Sequence, residues 1–293
     1  MKIALIGSNG QLGTDVFSYF SKKGEEVIGL TQDDIDVCLP KKCDVVLSKI
    51  KPDIVINTAA FNRVDLCEDE AESAFAVNAI GVKNLCNVCL KLDTPLVHFS
   101  TDFVFGADEK RNNPYTEDDC PGPISVYGIS KLAGEYILRY MLKKYYLLRV
   151  CGLYGYAGSF EKGSNFVEQM IKLAECGENI TVVNDQITTP TSTKDVTEKL
   201  YELIYTNKYG LYHMTNSGYC SWYEFALEIF KLVGLSPNVK PVATDEFAAK
   251  AKRPAYSVLD NKRLREIGLK DLRHWKEALK DYIEARPKKE IKK

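Results

Sequence analysis

Histidine, tryptophan and methionine are scarce in this 293-residue sequence, at three, two and four copies. His98, His213 and His274 lie far apart in different predicted elements, which argues against a metal held by imidazoles, and no metal is expected. Neither sign of charge is in excess: 39 Lys+Arg face 40 Asp+Glu for a net charge of −1, which argues against nucleic acid as the main partner. No uninterrupted apolar run approaches the roughly 20 residues needed to cross a bilayer, so no membrane partner is expected. The first strand-like run starts directly after Met1-Lys2, which leaves no room for a secretory leader. The nine cysteines are odd in number and scattered, as suits thiols in a reducing compartment rather than a disulfide framework, and the expected location is cytoplasmic. Internal repeats and Pro/Gly/Ser-rich linkers are also lacking, so the organisation has to be read from hydrophobic pattern.

With 45% hydrophobic and 11% aromatic residues, the chain has the composition of a globular protein. At this length it should bury roughly 75% of its unfolded surface. Short apolar runs at 3–6, 27–30, 54–56, 96–100 and 146–150 alternate with amphipathic stretches at 11–21, 70–92 and 127–143. Strands alternating with helix-length segments predict an α/β fold, a doubly wound parallel sheet of the Rossmann type with helices on both faces. Beyond Val150 the pattern loosens, with glycines at 152, 155, 158 and 163. Further elements are predicted at 165–176, 181–184, 194–206, 211–214, 222–233 and 272–283, with Ser221 as a helix N-cap. Residues 1–150 are therefore expected to form a dinucleotide-binding domain. Residues 151–293 read mainly as a smaller substrate-binding lobe over the carboxyl ends of the strands, with 192–216 returning to the first domain. The basic tail from Arg286 reads as a solvated terminus.

Ile3-Ala4-Leu5-Ile6 runs into Gly7-Ser8-Asn9-Gly10-Gln11-Leu12-Gly13, after which Val16, Phe17 and Phe20 recur at helical spacing. A strand, a tight glycine turn and a helix start form a pyrophosphate cradle: glycine allows the close backbone approach, and free helix N–H groups face the phosphates. After the second strand, Thr31 and Gln32 carry no charge to select between NADH and NADPH, and Asp33 or Asp34 reads equally as turn chemistry. Downstream, Tyr127 and Lys131 are four apart at a helix start, where the ammonium can favour the ionised phenol. Upstream, Ser100-Thr101-Asp102 closes a predicted strand. Such a phenol can protonate a carbonyl oxygen while a nicotinamide delivers hydride to its carbon, with Thr101 holding the oxygen from the other side. Cys86-Asn87-Val88-Cys89 has the spacing of redox and zinc motifs, but it falls inside a helix with no second pair, and reads as buried helix surface.

In this order the motifs resemble the extended short-chain dehydrogenases and, within them, the dTDP-4-dehydrorhamnose reductase family. The markers are the Gly7 to Gly13 turn, Asn57-Thr58-Ala59-Ala60-Phe61 with Val64-Asp65, Asn78-Ala79-Ile80-Gly81, the Ser100 to Gly106 segment and Tyr127-Gly128-Ile129-Ser130-Lys131. Asp185-Gln186, Pro190-Thr191 and Arg253-Pro254 complete the set. The resemblance implies reduction of the 4-keto group of a nucleotide-linked deoxysugar by NADPH or NADH, with dTDP-4-dehydro-L-rhamnose as the substrate. It makes Thr101, Tyr127 and Lys131 catalytic. It assigns the cofactor to Gly7, Asn9, Gly10, Gln11, Leu12, Gly13, Ala59, Ala60, Asn78, Tyr127 and Lys131, and the sugar nucleotide to Val64, Asp65, Thr101, Asn165, Gln186 and Arg253. A homodimer is allowed, and nothing in the sequence fixes the oligomeric state. Two positions depart from the family pattern: Gly152 stands where an aromatic residue is usual, and Thr31-Gln32 where Asp-Arg is frequent. The first leaves the sugar open and the second the cofactor. Two other readings therefore stay open, another nucleotide-sugar reductase or epimerase, and a non-catalytic dinucleotide-binding subunit resembling methionine adenosyltransferase β.

Overall fold

The computed structural model describes residues 1–157 and 164–286; Gly158, Gly163 and the basic tail beyond Arg286 lie outside the described residues. The sheet is built from β1 (Lys2–Ile6), β2 (Glu26–Leu30), β3 (Ile54–Asn57), β4 (Leu96–Thr101), β5 (Tyr145–Val150) and, after a long excursion, β10 (Gly210–His213). Their order is β10-β5-β4-β3-β1-β2 and every pairing is parallel. The sequence reverses direction between β1 and β3, which opens a crevice at the carboxyl ends of the strands. The doubly wound expectation therefore holds, with six parallel strands.

Helices cover both faces. On one face α1 (Gln11–Lys22) and α8 (Thr193–Ile204) bury Val16, Phe20, Val196 and Leu200 against Ile3, Leu5 and Val97. On the other, α2 (Pro40–Ile50) and a helical run of α4 (Ala71–Phe75), a π turn (Ala76–Gly81) and α5 (Val82–Leu92) pack beside α6 (Val126–Met141). The short α3 (Val64–Cys67) precedes that run. Because the π turn joins α4 to α5 without a break, Ala71–Leu92 is long and apolar enough to cross a membrane by length and composition, which the short apolar runs of the sequence did not suggest. More than half of its most apolar window is buried, as in a core helix.

The lobe contains β6 (Leu153–Tyr154), α7 (Phe166–Glu175), β7 (Ile180–Val183), β8 (Ile187–Thr188), β9 (Thr191–Ser192), β11 (Cys220–Ser221), α9 (Trp222–Val233), β12 (Val239–Val242) and α11 (Trp275–Ala285), while α10 (Lys262–Glu266) returns to the sheet half, with Leu264 in its core. The strands of the lobe pair only in twos. Its core is aromatic, with Tyr154, Phe225, Phe230, Trp275 and Tyr282 buried together. Ser221 caps α9 in a full capping box: its hydroxyl accepts from the Glu224 N–H at 3.1 Å and the Glu224 carboxylate accepts from the Ser221 N–H at 2.8 Å. All nine cysteines are free, and Cys86 and Cys89 are buried on α5, with desolvation pushing the Cys86 thiol up to about 12.

Candidate active site

The phosphate turn is shaped by what its glycines exclude. Gly7 has φ +78°, and a Cβ there would lie 2.8 Å from Thr58 Oγ1 and 2.9 Å from the Ala59 nitrogen. A Cβ on Gly13 would sit 2.1 Å from the Gly7 carbonyl, so only glycine lets α1 start this close to β1. Gly10 is the N-cap and contributes no side-chain cap, leaving the first-turn N–H groups of α1 to an outside acceptor. Beside it a cleft of about 450 Å³ is lined by Ser8, Asn9, Thr14, Phe17, Val27 and Gly29. On the first turn of α1, Gln11 Oε1 is buried without a hydrogen-bond partner among the described residues. A dinucleotide fits this cradle: bare glycines, unfilled helix amides and an orphaned amide oxygen are what a diphosphate and its ribose require. At the end of β2, Asp34 accepts from both the N–H and the hydroxyl of Thr31 at 2.8 Å, the turn chemistry expected of it.

Thr101 ends β4, and Tyr127 and Lys131 start α6. Two devices force these ends together. Gly128 lies against the 3₁₀ turn (Asp102–Val104) after Thr101, where a Cβ would approach the Phe103 carbonyl to 2.2 Å. Ser125 caps α6, its hydroxyl accepting from the Gly128 N–H, while Glu68 after α3 accepts from the Val126 N–H at 3.0 Å. The Tyr127 ring meets Phe103 edge-on at 5.6 Å. Asn78 in the π turn grips the Phe61 backbone through both ends of its amide, at 2.9 Å each, and donates to Ser130 Oγ at 3.0 Å. Ser130 in turn donates to the Tyr127 carbonyl at 2.8 Å. Ala59 and Ala60 are half-buried after β3, with the Ala59 N–H held by Asn57 Oδ1 at 3.1 Å.

Lys131 differs from the sequence expectation in where its charge points. It is buried, donates to the Phe99 carbonyl at 2.7 Å, and lies 3.5 Å from His98 Nε2; burial pushes it down to about 8, against the opposing pull of Glu135. His98, itself buried and held well below its ordinary value by desolvation, contacts Asn57 through Nδ1 at 3.2 Å. The i, i+4 spacing is real, but the ammonium is anchored to β4, and the cation is weaker than a surface lysine.

Apart from Thr101, the predicted sugar-nucleotide residues fall into three places. Asp65 in α3 and Arg253 form a bidentate pair at 3.1 and 2.9 Å, which holds the Asp65 carboxyl below its usual range, and Val64 lies half-buried beside Asp65. Gln186 is buried in the lobe and donates to Thr244 Oγ1 at 3.1 Å. Asn165 is the N-cap of α7, its amide donating to the Gly155 carbonyl and the Tyr282 hydroxyl and accepting from Glu168. Its contacts include Tyr282 on α11, and none is to Arg253 or Gln186 among the described residues. Gly152 has φ +51° and a Cβ there would lie 3.5 Å from the Trp222 ring, so that ring already occupies the space beside this position.

Two polar clusters were not singled out from the sequence. Glu135 and Arg149 are buried as a bidentate pair at 2.9 and 2.7 Å, with Ser100 donating to Glu135. Beside Thr101, the buried Asp102 carboxyl lies 3.1 Å from Thr101 Oγ1 and 3.1 Å from Cys151 Sγ, and Ser257 donates to it. The only local signal was Asp102 following the hydroxyls at a strand end; Arg149, Cys151 and Ser257 meet this strand through tertiary packing.

The RmlD substrate binding domain model matches residues 1–287. The spore coat polysaccharide biosynthesis protein SpsK of Bacillus subtilis is 40% identical, covering 97% of this chain and 98% of its own length. A crystal structure of a dTDP-4-dehydrorhamnose reductase from Clostridium acetobutylicum superposes with a TM-score of 0.92 at 41% identity, covering 97% of this chain and 99% of that one. The Bacillus anthracis dTDP-4-dehydrorhamnose reductase in complex with NADP gives 0.91 at 37%, covering 96% and 99%. A UDP-glucose 4-epimerase from Thermotoga maritima, 19% identical, shares the fold alone. The reading as a non-catalytic subunit falls away. The chain belongs to the dTDP-4-dehydrorhamnose reductase family, the RmlD-type, NAD(P)H-using reductases of dTDP-linked keto sugars within the extended short-chain dehydrogenases.

Proposed function

We propose that this chain reduces the 4-keto group of dTDP-4-dehydro-L-rhamnose to give dTDP-L-rhamnose, with NADPH or NADH as donor. The observation that supports the reading is the junction of β4 and α6, where the close approach of Gly128 to the Phe103 carbonyl seats the helix start that carries Tyr127 and Lys131 against the strand end that carries Thr101. The reduced cofactor when bound supplies hydride to the sugar C4. The Gly7 to Gly13 turn, with Asn9, Gln11 and Leu12, holds its diphosphate, and Ala59 and Ala60 line it through their backbones. Tyr127 donates its phenolic proton to the C4 oxygen, and Thr101 holds that oxygen from the opposite side. Lys131, fixed to the Phe99 carbonyl, sets the ribose and the phenol in register. Asn78 keeps the start of α6 in place through Ser130.

On the substrate side, Arg253 leaves or shares Asp65 to bind the diphosphate, since its guanidinium fork suits paired oxygens. Val64 and Gln186 border the nucleotide and sugar. Asn165, tied up as a helix cap, shapes the lobe. The reading is tested with purified protein, NADPH or NADH and dTDP-4-dehydro-L-rhamnose by following loss of reduced-cofactor absorbance and identifying the sugar formed. Tyr127→Phe should lower kcat by roughly 10²–10⁴-fold, the range for a positioned general acid. Normal turnover in that variant, or no turnover of this sugar by the wild type, overturns the reading.

A further inference from the structure

Three neutral groups surround the Asp102 carboxyl: the Thr101 hydroxyl, the Cys151 thiol and the Ser257 hydroxyl. Among the described residues it forms no ion pair, although Asp102 is only 3% exposed. Of its three side-chain partners only Cys151 is titratable, and burial pushes its thiol well above the ordinary value, so it adds no negative charge; its other contacts are Thr188 and Ser257. A buried carboxylate without a cation is costly, and such a group instead takes up a proton. The contrast with Glu135, whose charge is met by two Arg149 nitrogens, is internal to the same strand ends.

The hydrogen count at Thr101 then decides the matter. Its Oγ1 already accepts from the Phe103 N–H at 3.2 Å. If Asp102 were a carboxylate, the only hydrogen on the Thr101 hydroxyl would point at Asp102 and none would remain for a ketone oxygen. If Asp102 is a carboxylic acid, its O–H donates to Thr101 Oγ1, the two acceptor positions of that oxygen are filled, and its hydrogen is directed outward. We propose that Asp102 is a positioning residue held as the neutral acid, and that its proton orients the Thr101 hydroxyl to donate to the sugar C4 oxygen. The Cys151 thiol holds the other carboxyl oxygen, and the Ser257 hydroxyl also donates to the carboxyl group. This role rests on the assignment of Thr101 given above.

Asp102→Asn and Asp102→Leu separate the possibilities. The carboxamide keeps a donor for Thr101 and an acceptor for Cys151 and Ser257, and carries no charge at any pH. Asp102→Asn should therefore keep kcat within about threefold of wild type, while Asp102→Leu should lower kcat roughly 10²-fold with little change in KM, the size of losing one donor to a developing oxyanion. Infrared difference spectra of wild type against Asp102→Asn at pH 7 should show the carbonyl band of a protonated carboxyl. A carboxylate band instead, or an Asp102→Asn kcat as low as that of Asp102→Leu, overturns the proposal. Thr101→Val with normal kcat overturns it through the assignment beneath, and the infrared band then still reports the charge of Asp102 by itself.

Discussion

The sheet half and the lobe hold their polar groups in opposite ways. Around β4 and α6 the ionisable side chains are buried, and the helix is seated by backbone contacts too close for any residue but glycine, at Gly128 and Gly134. The lobe is held by an aromatic core and is tied to α3 by a half-exposed ion pair, Asp65 with Arg253. The difference teaches where each kind of precision resides. On the proposed reading, proton transfer, which tolerates little displacement, falls to the half with buried polar contacts, and substrate capture, which needs a grip that can let go, falls to a pair that water already weakens.

The largest test of this contrast removes the charge partner beneath the sheet. Arg149→Ala leaves Glu135 buried and unpaired, and should cost about 3–5 kcal/mol of unfolding free energy in a urea titration. A loss below 1 kcal/mol would show that the sheet half is no more rigidly determined than the lobe.

Lys131→Met tests the opposite sign. The ammonium has its proton affinity lowered from 10.5 to about 8 on folding, so between those values the unfolded chain binds more protons and stability rises with pH. Below about pH 8 the penalty is fully present, at about 3 kcal/mol. The variant should thus be more stable than wild type at pH 7 by up to that amount and should lose the advantage above pH 10.5, while turnover collapses. Unfolding curves at the two pH values check it.

Gly134→Ala should come next, because its Cβ would lie 2.2 Å from the Asn78 carbonyl in the π turn. We expect a loss of about 1–3 kcal/mol and a lower kcat as α6 is pushed off its seat. Smallest in stability is Arg253→Lys, at about 0–1 kcal/mol since the Asp65 carboxylate is half exposed. Its KM for the sugar nucleotide should nonetheless rise about tenfold, because a lysine cannot bond two phosphate oxygens as a fork. An unchanged KM would remove Arg253 from the substrate site.

Local chemistry made much of this molecule legible beforehand. The Gly7 to Gly13 turn, the Ser221 cap and the helix from Tyr127 declare themselves through residues within four positions of each other, and each formed where the pattern placed it. The π turn did not, because it exists where α6 presses on Asn78 through a glycine more than fifty residues away. Asp102 acquires its meaning from Cys151 and Ser257, and Asp65 from Arg253, across separations that no periodicity carries. The anchoring of Lys131 was likewise hidden: spacing put it beside Tyr127, and only the packing of α6 on β4 showed its ammonium directed to the Phe99 carbonyl.

The last strand of the sheet, Gly210–His213, lies beyond a large part of the lobe in the chain. During synthesis, β5 must therefore wait with one edge unpaired while some sixty further residues leave the ribosome. The nascent chain is most open to sticking in that interval, and completion of the catalytic half is timed by a segment that reaches it only after much of the lobe has emerged.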